Sequence, residues 1–251
     1  MLRRIARRIR RELLRRGLKV GMYYGDLSTW TDLTRDEYVD HLRFTIGGFL
    51  SPGNVEAFEY CLRNMPTTGA IVEIGSFLGL STNIIAYAAH KYRCPNAFFT
   101  CDPWVFAGSE KPKAGYFSTA TREYRDWVTR LYKMNLALFS SPFPPFTVEA
   151  FSDRFFELWN ANAEVTDVLG RRVRLGGTIS FAYVDGNHTY EVARQDFLNV
   201  DDYLIPGGFV FFDDSSDDAI YEGLQQLVAE VASKSNYKLI LKTPNYCFQK
   251  T

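Results

Sequence analysis

Residues 72–82 read VEIGSFLGLST, and this stretch decides the fold class. It begins inside the apolar segment Ala70–Ile74 and ends inside the segment Ser81–Lys91, which is predicted to be a helix. A short apolar run, a glycine-containing turn and a helical segment are typical of a strand–turn–helix unit. A turn of this kind lets a ligand approach the backbone at the start of the helix.

The spacing of the glycines separates this turn from two common nucleotide-binding motifs. A Walker A loop needs Gly-Lys-Ser/Thr, but residues 80–82 are Leu-Ser-Thr and contain no lysine. A GxGxxG turn would need glycines where Phe77 and Leu80 stand, and Phe77 would keep the backbone away from a pyrophosphate. What remains is the pattern Glu-x-Gly-x-x-x-Gly over residues 73–79. A tight turn that binds no ligand is the alternative.

Strands and helices alternate after residue 70. Further strands are predicted at Ala97–Cys101, Phe146–Glu149, Ile179–Val184 and Gly208–Phe212, and helices at Thr119–Leu136, Ser152–Ala161, Tyr190–Leu204 and Ala219–Ser233. This alternation predicts an α/β fold, with a Rossmann-like, doubly wound, mostly parallel sheet of seven strands. The segments Tyr237–Lys242 and Tyr246–Gln249 are too close for a helical crossover, so the last strand is expected to be antiparallel.

The chain divides into three parts on these patterns. They are a basic amphipathic N-terminal helix (1–20, with the helix itself over 2–16), a helical cap (21–69) and the α/β domain (70–251). The cap is predicted to contain helices at Thr34–Ile46, capped by Thr34, and at Asn54–Leu62. Within the α/β domain, residues 103–178 contain an insertion with a hairpin at Val165–Leu175, and Ser152 is expected to cap the helix that it begins.

The net charge of zero, from 29 basic and 29 acidic residues, hides an uneven distribution. Residues 1–20 carry a net charge of +8, and residues 21–251 carry −8. An acidic body argues against a broad nucleic-acid-binding surface, so we expect no nucleic-acid partner. The apolar face and the charge of residues 2–16 suit an anionic membrane surface. The alternatives are docking on the acidic body of the same chain or on a second copy in a homo-oligomer.

The composition also bears on the compartment. No apolar run approaches the roughly 20 residues that span a bilayer, and the N-terminal segment lacks the apolar core and small-residue cleavage site of a secretory signal. The four cysteines show no CxxC spacing, so reduced thiols are expected. We therefore expect a cytoplasmic protein, which would lie at the inner face of the membrane if residues 2–16 bind lipid.

Asp102 indicates a nucleoside-type ligand. It ends the strand that follows the glycine turn, 27 residues beyond Gly75, where a carboxylate can accept both hydroxyl hydrogens of a ribose. An ordinary capping aspartate is the alternative. Trp104 would lie near the adenine unless it belongs to the core, and Ser152 and Asp153 could contact the adenine edge. The candidate cofactor-binding residues are Glu73, Gly75, Ser76, Gly79, Ser81, Asp102, Trp104, Ser152 and Asp153.

A cluster of carboxylates is predicted beside this ligand. Asp185 ends one strand, and Asp213 and Asp214 end its neighbour, so the three side chains are expected to meet in one crevice. Unpaired carboxylates would repel each other and raise their pKa values, and a hard divalent cation such as Mg²⁺ would relieve this repulsion. His188 lies three residues beyond Asp185 and could point into the same crevice, so His188 and Asp185 are the candidate catalytic residues. Helix caps and a hydrogen-bonding role are the alternative for the aspartates.

Together these motifs resemble one subgroup of the class I S-adenosylmethionine-dependent methyltransferases. The resemblance spans residues 70–249 and rests on Glu-x-Gly-x-x-x-Gly at 73–79, Asp-Gly-x-His-x-Tyr at 185–190, Pro-Gly-Gly at 206–208 and Asp-Asp at 213–214. The subgroup contains the macrocin O-methyltransferase-like and related sugar O-methyltransferases of antibiotic and polysaccharide pathways. The resemblance implies S-adenosylmethionine as cofactor, a divalent metal on Asp185, Asp213 and Asp214, and His188 as general base. Residues 103–178 and the cap would shape the acceptor pocket.

The sequence therefore predicts a metal-assisted O-methyltransferase acting on a hydroxyl of a sugar or of a saccharide-containing small molecule. The enzyme must align the acceptor oxygen behind the sulfonium methyl group, and positioning supplies much of the rate. The alternatives are a metal-independent methyltransferase for a protein or another small molecule, and a non-catalytic nucleoside-binding protein. A nucleic-acid base methyltransferase is disfavoured, because Asp185 is followed by Gly-Asn-His and not by Pro-Pro-Tyr or Pro-Pro-Phe.

Overall fold

The apolar segment Ala70–Ile74 forms strand β1, and every residue of it is buried. The computed structural model describes residues 32–105 and 121–251 of the chain. β1 pairs in parallel with β2 (Phe98–Cys101) on one side and with β6 (Ile179–Val184) on the other. A strand with parallel neighbours and helices over both faces has no side that meets water, which explains the nearly continuous apolar sequences of β1 and β6.

The remaining strands are β3 (Phe146–Val148), β4 (Glu164–Thr166), β5 (Arg172–Arg174), β7 (Leu204–Phe212), β8 (Tyr237–Lys242) and β9 (Tyr246–Lys250). The helices of the described residues are α1 (Glu37–Thr45), α2 (Pro52–Asn64), α3 (Leu80–Lys91), α4 (Thr121–Phe139), α5 (Ser152–Asn160), α6 (Tyr190–Asp201) and α7 (Glu222–Ser233). Apart from the short pair β4–β5, strands and helices alternate from β1 to α7, as the sequence predicts, and β8 and β9 then follow with no helix between them.

Seven strands form one sheet in the order β3-β2-β1-β6-β7-β9-β8. The five strands from β3 to β7 in this order are parallel, whereas β9 runs antiparallel to both β7 and β8. This confirms the predicted Rossmann-like sheet with an antiparallel last strand. The chain leaves β1 toward β2 and β3 and returns on the other side of β1 as β6. Ligands of open α/β sheets bind at the carboxyl ends of the strands beside such a switch point.

The side chains of the sheet alternate between two hydrophobic cores, one on each face. Helices α1 to α4 cover one face, where their apolar residues pack with Tyr183 and Phe211 of the sheet. Helices α5 to α7 cover the other face and pack with Val72 and Val210. The two helices of the predicted cap, α1 and α2, therefore share a core with the sheet.

Two predicted helix caps are wrong. The cap of α1 is Asp36, whose carboxylate accepts hydrogen bonds from the N–H groups of Tyr38 at 2.9 Å and Val39 at 3.4 Å, the second and third residues of the helix. Thr34 lies in the preceding turn, so the carboxylate and not the hydroxyl satisfies these donors. Helix α5 begins at Ser152 itself, which moves the cap position to Phe151, and the Ser152 hydroxyl donates to Asp196 of α6.

Other element ends differ by a few residues from the predicted ones. Helix α6 ends at Asp201, and Leu204, predicted as the end of this helix, is the first residue of β7. Helix α7 begins at Glu222 and not at Ala219. The hairpin predicted at Val165–Leu175 is the antiparallel pair β4–β5.

The predicted helix over residues 2–16 lies outside the described residues. Of the helices that the structure describes, none has the length and apolar character needed to cross a bilayer. All four cysteines are free thiols, including Cys61 and Cys247, whose Sγ atoms lie 3.4 Å apart in the core.

Candidate active site

The glycine turn and the loop after β6 touch through their backbones. Gly75 has a φ of +86°, and a Cβ atom on it would lie 2.0 Å from the carbonyl oxygen of Asp185. The N–H of Asp185 also donates to the carbonyl of Ile74 at 2.8 Å. Since no side chain fits between the two loops, glycine is required where the ends of β1 and β6 meet. The two sequence motifs therefore lie together at the switch point.

Gly79, the second glycine of the turn, is favoured by its left-handed backbone and by close packing on another side. It adopts a φ of +86° at the start of α3, and a Cβ atom on it would lie 3.0 Å from the ring of Tyr132 in α4. From the sequence, both glycines are expected to make room for a ligand. The structure gives another reason, because the space beside them is filled by Asp185 and Tyr132.

Glu73 lies beneath the turn with both carboxylate oxygens engaged. Oε1 accepts a hydrogen bond from Ser81 Oγ at 2.6 Å, and Oε2 accepts one from Thr82 Oγ1 at 2.5 Å. The side chain is fully buried, and this burial raises its pKa to about 8, although the two hydroxyl donors act in the opposite direction. Glu73 and Ser81 therefore tie β1 to the first turn of α3.

Asp102 orders the glycine turn from the end of β2. Its Oδ2 accepts hydrogen bonds from the N–H groups of Ser76 at 2.8 Å and Phe77 at 2.9 Å, and its Oδ1 accepts one from Trp104 N–H at 2.6 Å. Burial raises the pKa of the Asp102 carboxyl, and the three backbone donors oppose this rise. Because a carboxylate offers about four lone-pair sites, one acceptor position is left for a ligand hydroxyl.

Trp104 belongs to the hydrophobic core. Its side chain is 1% exposed, its Nε1 donates to the carbonyl of Phe77 at 2.9 Å, and its ring centroid lies 5.1 Å from that of Tyr132. Of the two placements weighed from the sequence, the structure therefore shows the core position. The indole therefore stabilises the glycine turn through its hydrogen bond to Phe77.

Ser152 and Asp153, at the start of α5, both face α6. Ser152 Oγ donates to Asp196, and Asp153 accepts a hydrogen bond from Asn199 Nδ2 at 2.9 Å. Asp196 lies against the loop after β6, since a Cβ atom on Gly186 would be 3.1 Å from its Oδ2. Ser152 is thus linked to the switch point through Asp196, whereas Asp153 is exposed on the outer surface.

His188 stands beside two of the predicted carboxylates. Its Nε2 lies 4.0 Å from Asp185 Oδ1 and 3.6 Å from Asp214 Oδ2. Partial burial and the charges of Asp213 and Asp214 raise the pKa of Asp185 well above its ordinary value. Partial burial and the charge of Asp213 likewise raise the pKa of Asp214, while His188 lowers it. The cluster therefore holds more negative charge than the neighbouring groups neutralise.

Asp213 sits in a buried network that no sequence motif marks. Its Oδ1 accepts hydrogen bonds from Asn54 Nδ2 of α2 at 2.6 Å and from Asn245 Nδ2 of the β8–β9 turn, and its Oδ2 accepts one from Tyr183 OH at 2.7 Å. None of these four side chains is more than 9% exposed. The three donors come from α2, β6 and the β8–β9 turn, so the network fixes the orientation of the Asp213 side chain from three elements.

The donor set suits a hard cation, but the three aspartates are not assembled as a metal centre. Carboxylate oxygens are the ligands that Mg²⁺ prefers, and Asp185 and Asp214 are 31% and 47% exposed at the crevice. Within residues 32–105 and 121–251, no group of three or more His, Cys, Asp or Glu side chains is arranged to hold a metal ion. The metal site predicted on Asp185, Asp213 and Asp214 is therefore not confirmed.

A family model described as a methyltransferase domain matches residues 72–215. The chain belongs to this methyltransferase family. The match covers more than half of the sequence and includes the glycine turn, Asp102 and the acidic cluster. The resemblance noted in the sequence is thereby confirmed, and the protein is an S-adenosylmethionine-dependent methyltransferase.

Solved structures agree on the fold. CalS11, a calicheamicin methyltransferase, aligns with a TM-score of 0.52 and 14% identity over 91% of this chain and 95% of that chain. An apo structure of CalS11, described as a TDP-rhamnose 3′-O-methyltransferase, aligns with a TM-score of 0.50 and 16% identity, over 78% of this chain and 77% of that chain. An O-methyltransferase from Bacillus cereus in complex with S-adenosylhomocysteine aligns with a TM-score of 0.52 and 12% identity, over 90% of this chain and 100% of that chain. The O-methyltransferase NovP aligns with a TM-score of 0.52 and 17% identity, over 80% of this chain and 81% of that chain. A sequence comparison with curated proteins finds no match.

Proposed function

We propose that this methyltransferase transfers the methyl group of S-adenosylmethionine to a hydroxyl of a sugar or of a saccharide-containing small molecule. The observation that carries the proposal is the position of His188 beside Asp185 and Asp214 at the switch point of the sheet. A sugar hydroxyl is a poor nucleophile near neutral pH, and an imidazole flanked by carboxylates is a suitable acceptor for its proton.

The cofactor would bind between the glycine turn and Asp102. The remaining lone pair of Asp102 would accept a hydrogen bond from a ribose hydroxyl. Three other candidates would act indirectly, by stabilising the conformation of the glycine turn. These are Glu73, Ser76 and Ser81, whose side-chain polar atoms hydrogen-bond to other protein groups. This assignment places the sulfonium methyl group near Asp185, because Gly75 brings that residue against the turn.

The reaction requires the acceptor oxygen to lie behind the methyl carbon. As the new carbon–oxygen bond forms, the bond from sulfur to methyl breaks and S-adenosylhomocysteine leaves. His188 Nε2 would take the hydroxyl proton, and the carboxylates of Asp185 and Asp214 would stabilise the imidazolium that forms. Positioning of the two reactants supplies a further large part of the rate.

A divalent cation, such as Mg²⁺, fits the chemistry of the acidic cluster. Asp185 and Asp214 would hold it with their partly exposed oxygens, and Asp213 with the lone pair that its three donors leave. When bound, the cation would lower the pKa of the acceptor hydroxyl. The observation that supports this part of the proposal is the grouping of the carboxylates: Asp185 and Asp214 lie within 4.0 Å of His188 Nε2, and Tyr183 OH lies 3.5 Å from Asp185 Oδ2 and 2.7 Å from Asp213 Oδ2.

The acceptor class is proposed on the similarity to CalS11, which is described as a TDP-rhamnose methyltransferase. A metal-independent methyltransferase that modifies a protein or another small molecule is the second candidate. The partly exposed carboxylates around His188 favour the first, because they can accept hydrogen bonds from the several hydroxyls of a sugar.

The test uses a cofactor with an isotopically labelled methyl group and a panel of nucleotide sugars, glycans and lipid-linked saccharides, analysed by mass spectrometry. We expect label on a sugar oxygen. His188→Ala should slow the transfer by about 10²–10⁴-fold with unchanged affinity for S-adenosylhomocysteine. Label on nitrogen, or cofactor binding without any transfer, would contradict the proposal.

The same assay tests the metal separately. Turnover should disappear in chelator and return with Mg²⁺ or Mn²⁺. Full activity in chelator would remove the metal from the proposal and leave Asp213 and Asp214 as hydrogen-bond acceptors for the substrate.

A further inference from the structure

Tyr221 packs directly on the imidazole of His188. The two ring centroids lie 4.1 Å apart, and the ring planes are inclined by 56°. Tyr221 is the residue that precedes α7, on the segment that leads from the end of β7 to this helix. The predicted base is therefore covered on one side by an aromatic ring from a different element.

Gly223 brings the backbone of α7 against the same loop. A Cβ atom on Gly223 would lie 2.5 Å from the backbone N of Tyr190 and 2.9 Å from the carbonyl oxygen of His188. No side chain fits there, so the start of α7 is in direct contact with the main chain that carries the imidazole. The N-terminus of α7 thus contacts both the ring of His188, through Tyr221, and the backbone of its loop, through Gly223.

The segment that carries Tyr221 is itself anchored. The carbonyl of Tyr221 accepts hydrogen bonds from the N–H groups of Leu224 at 3.2 Å and Gln225 at 3.3 Å, which begin the helix. The side chain of Gln225 donates to the carbonyl of Ala219 at 2.9 Å. The backbone that carries the Tyr221 ring is therefore held by hydrogen bonds to residues before and after it in the sequence.

The carboxylates beside His188 do not orient its ring by hydrogen bonds. The separations of 3.6 and 4.0 Å from Nε2 to Asp214 and Asp185 exceed hydrogen-bond length. We propose that Tyr221 is a positioning residue that holds the imidazole of His188 in the orientation needed to take the acceptor proton. This inference rests on the proposed function, because it assumes that His188 acts as the base.

The experiment compares Tyr221→Ala, Tyr221→Phe and His188→Ala, alone and in combination, in the methyl-transfer assay. Tyr221→Ala should lower kcat by about 10- to 100-fold, because a displaced base reacts poorly, with little change in the KM of the acceptor or in cofactor affinity. Tyr221→Phe should restore most of the rate, since it keeps the ring. Combined with His188→Ala, Tyr221→Ala should cause no additional loss, as expected for residues that act as one unit.

Tyr203→Ala is the matched control. Tyr203 is a partly exposed tyrosine that stacks on Phe156 at 6.1 Å, away from the crevice, and its removal should leave kcat unchanged. If Tyr221→Ala does not fold, Tyr221→Leu removes the flat ring but keeps apolar volume, and we expect the same fall in kcat.

The possible failures are distinguishable. A slow His188→Ala together with a wild-type rate for Tyr221→Ala overturns the inference alone. So does a loss in Tyr221→Ala that persists when His188 is absent, or a Tyr221→Phe variant that is as slow as Tyr221→Ala. A wild-type rate for His188→Ala overturns the proposed base, and the inference with it.

Discussion

Glu73 and Asp213 are both buried acids whose hydrogen-bond donors are neutral, yet they differ in what lies beside them. Glu73 is fully enclosed between β1 and α3, and its two oxygens are used by hydroxyl groups of the helix. Asp213 stands at the end of β7, next to the partly exposed Asp185 and Asp214. Burial raises the pKa of Glu73 to about 8, so Glu73 is expected to affect the pH dependence of stability. Asp213 lies beside the crevice, so its substitution is expected to affect ligand binding.

Glu73→Gln should change how stability depends on pH. Burial raises the pKa of Glu73 to about 8 in the folded protein, above that of an exposed glutamate in the unfolded chain. Between about pH 4.5 and 8 the folded state thus binds an additional proton, so the free energy of unfolding falls as pH rises, by up to about 1.4 kcal/mol per pH unit. Glutamine removes this contribution, so the variant should lose less stability than wild type from pH 5 to pH 8.

Denaturant unfolding across this pH range measures the difference. Glu157→Gln, which removes an exposed carboxyl on α5, is the control and should follow the wild-type curve. Parallel curves for Glu73→Gln and wild type would show that Glu73 is ionised in the folded protein near neutral pH.

At the scale of elements, the sequence predicts the central strands with their observed ends. β1 and β6 are short apolar runs closed by turn residues, and burial on both faces leaves few other structures for them. Helix ends are predicted less well, because several side chains near each end could act as caps. Asp36 and not Thr34 caps α1, since tertiary contacts with Tyr87 and Lys91 of α3 also hold its carboxylate.

The candidate site could be predicted where it depends on strand ends and not where it depends on tertiary hydrogen bonds. Asp102, Asp185 and His188 follow strands, and parallel strands end at the same edge of a sheet. Asn54 and Tyr221 show no comparable signal. Asn54 reaches Asp213 across 159 residues of sequence, and Tyr221 contacts His188 only because α7 packs beside α6.

Gly75→Ala tests the junction between the glycine turn and the loop after β6. The added methyl group would collide with the carbonyl of Asp185 and also force alanine into a φ of +86°. Gly170→Ala is the matched control, because Gly170 has a φ of +80° but no atom within 4 Å of the added methyl group. The control should cost only the backbone strain, about 1–2 kcal/mol.

Gly75→Ala should cost clearly more stability than the control and should abolish binding of S-adenosylhomocysteine. Denaturant unfolding and titration calorimetry measure the two effects. Equal losses of stability in both variants would mean that the backbone conformation, and not the contact with Asp185, requires glycine at position 75.

At the scale of the whole molecule, residues near both ends of the described chain contact Asp213 at the site. Asn54 lies in α2, before the first strand, and Asn245 lies in the turn before the last strand. They bond to each other at 2.9 Å and both donate to Asp213. The hydrogen-bond network around Asp213 therefore joins the helical cap and the C-terminal hairpin to the end of β7.

The charge of the chain is divided between an N-terminal segment with +8 and a remainder with −8. We propose that residues 2–16 hold the enzyme on an anionic membrane surface, where each basic residue contributes about 1 kcal/mol near the lipid headgroups. The two alternatives, docking on the acidic remainder or on a second copy, use the same charges but need no lipid.

Flotation with vesicles distinguishes these possibilities. The full chain should float with vesicles that contain phosphatidylserine and should remain unbound with phosphatidylcholine alone, whereas a protein beginning at Gly21 should bind neither. Replacing Ile5 and Ile9 by serine keeps the charge of +8 but removes apolar side chains from the predicted apolar face, so binding should weaken strongly, because an amphipathic helix needs both contributions. Raised salt should weaken binding of the full chain by screening. Equal flotation of the full and shortened proteins would exclude the membrane role, and a change in oligomeric state on shortening would assign the segment to contacts between copies.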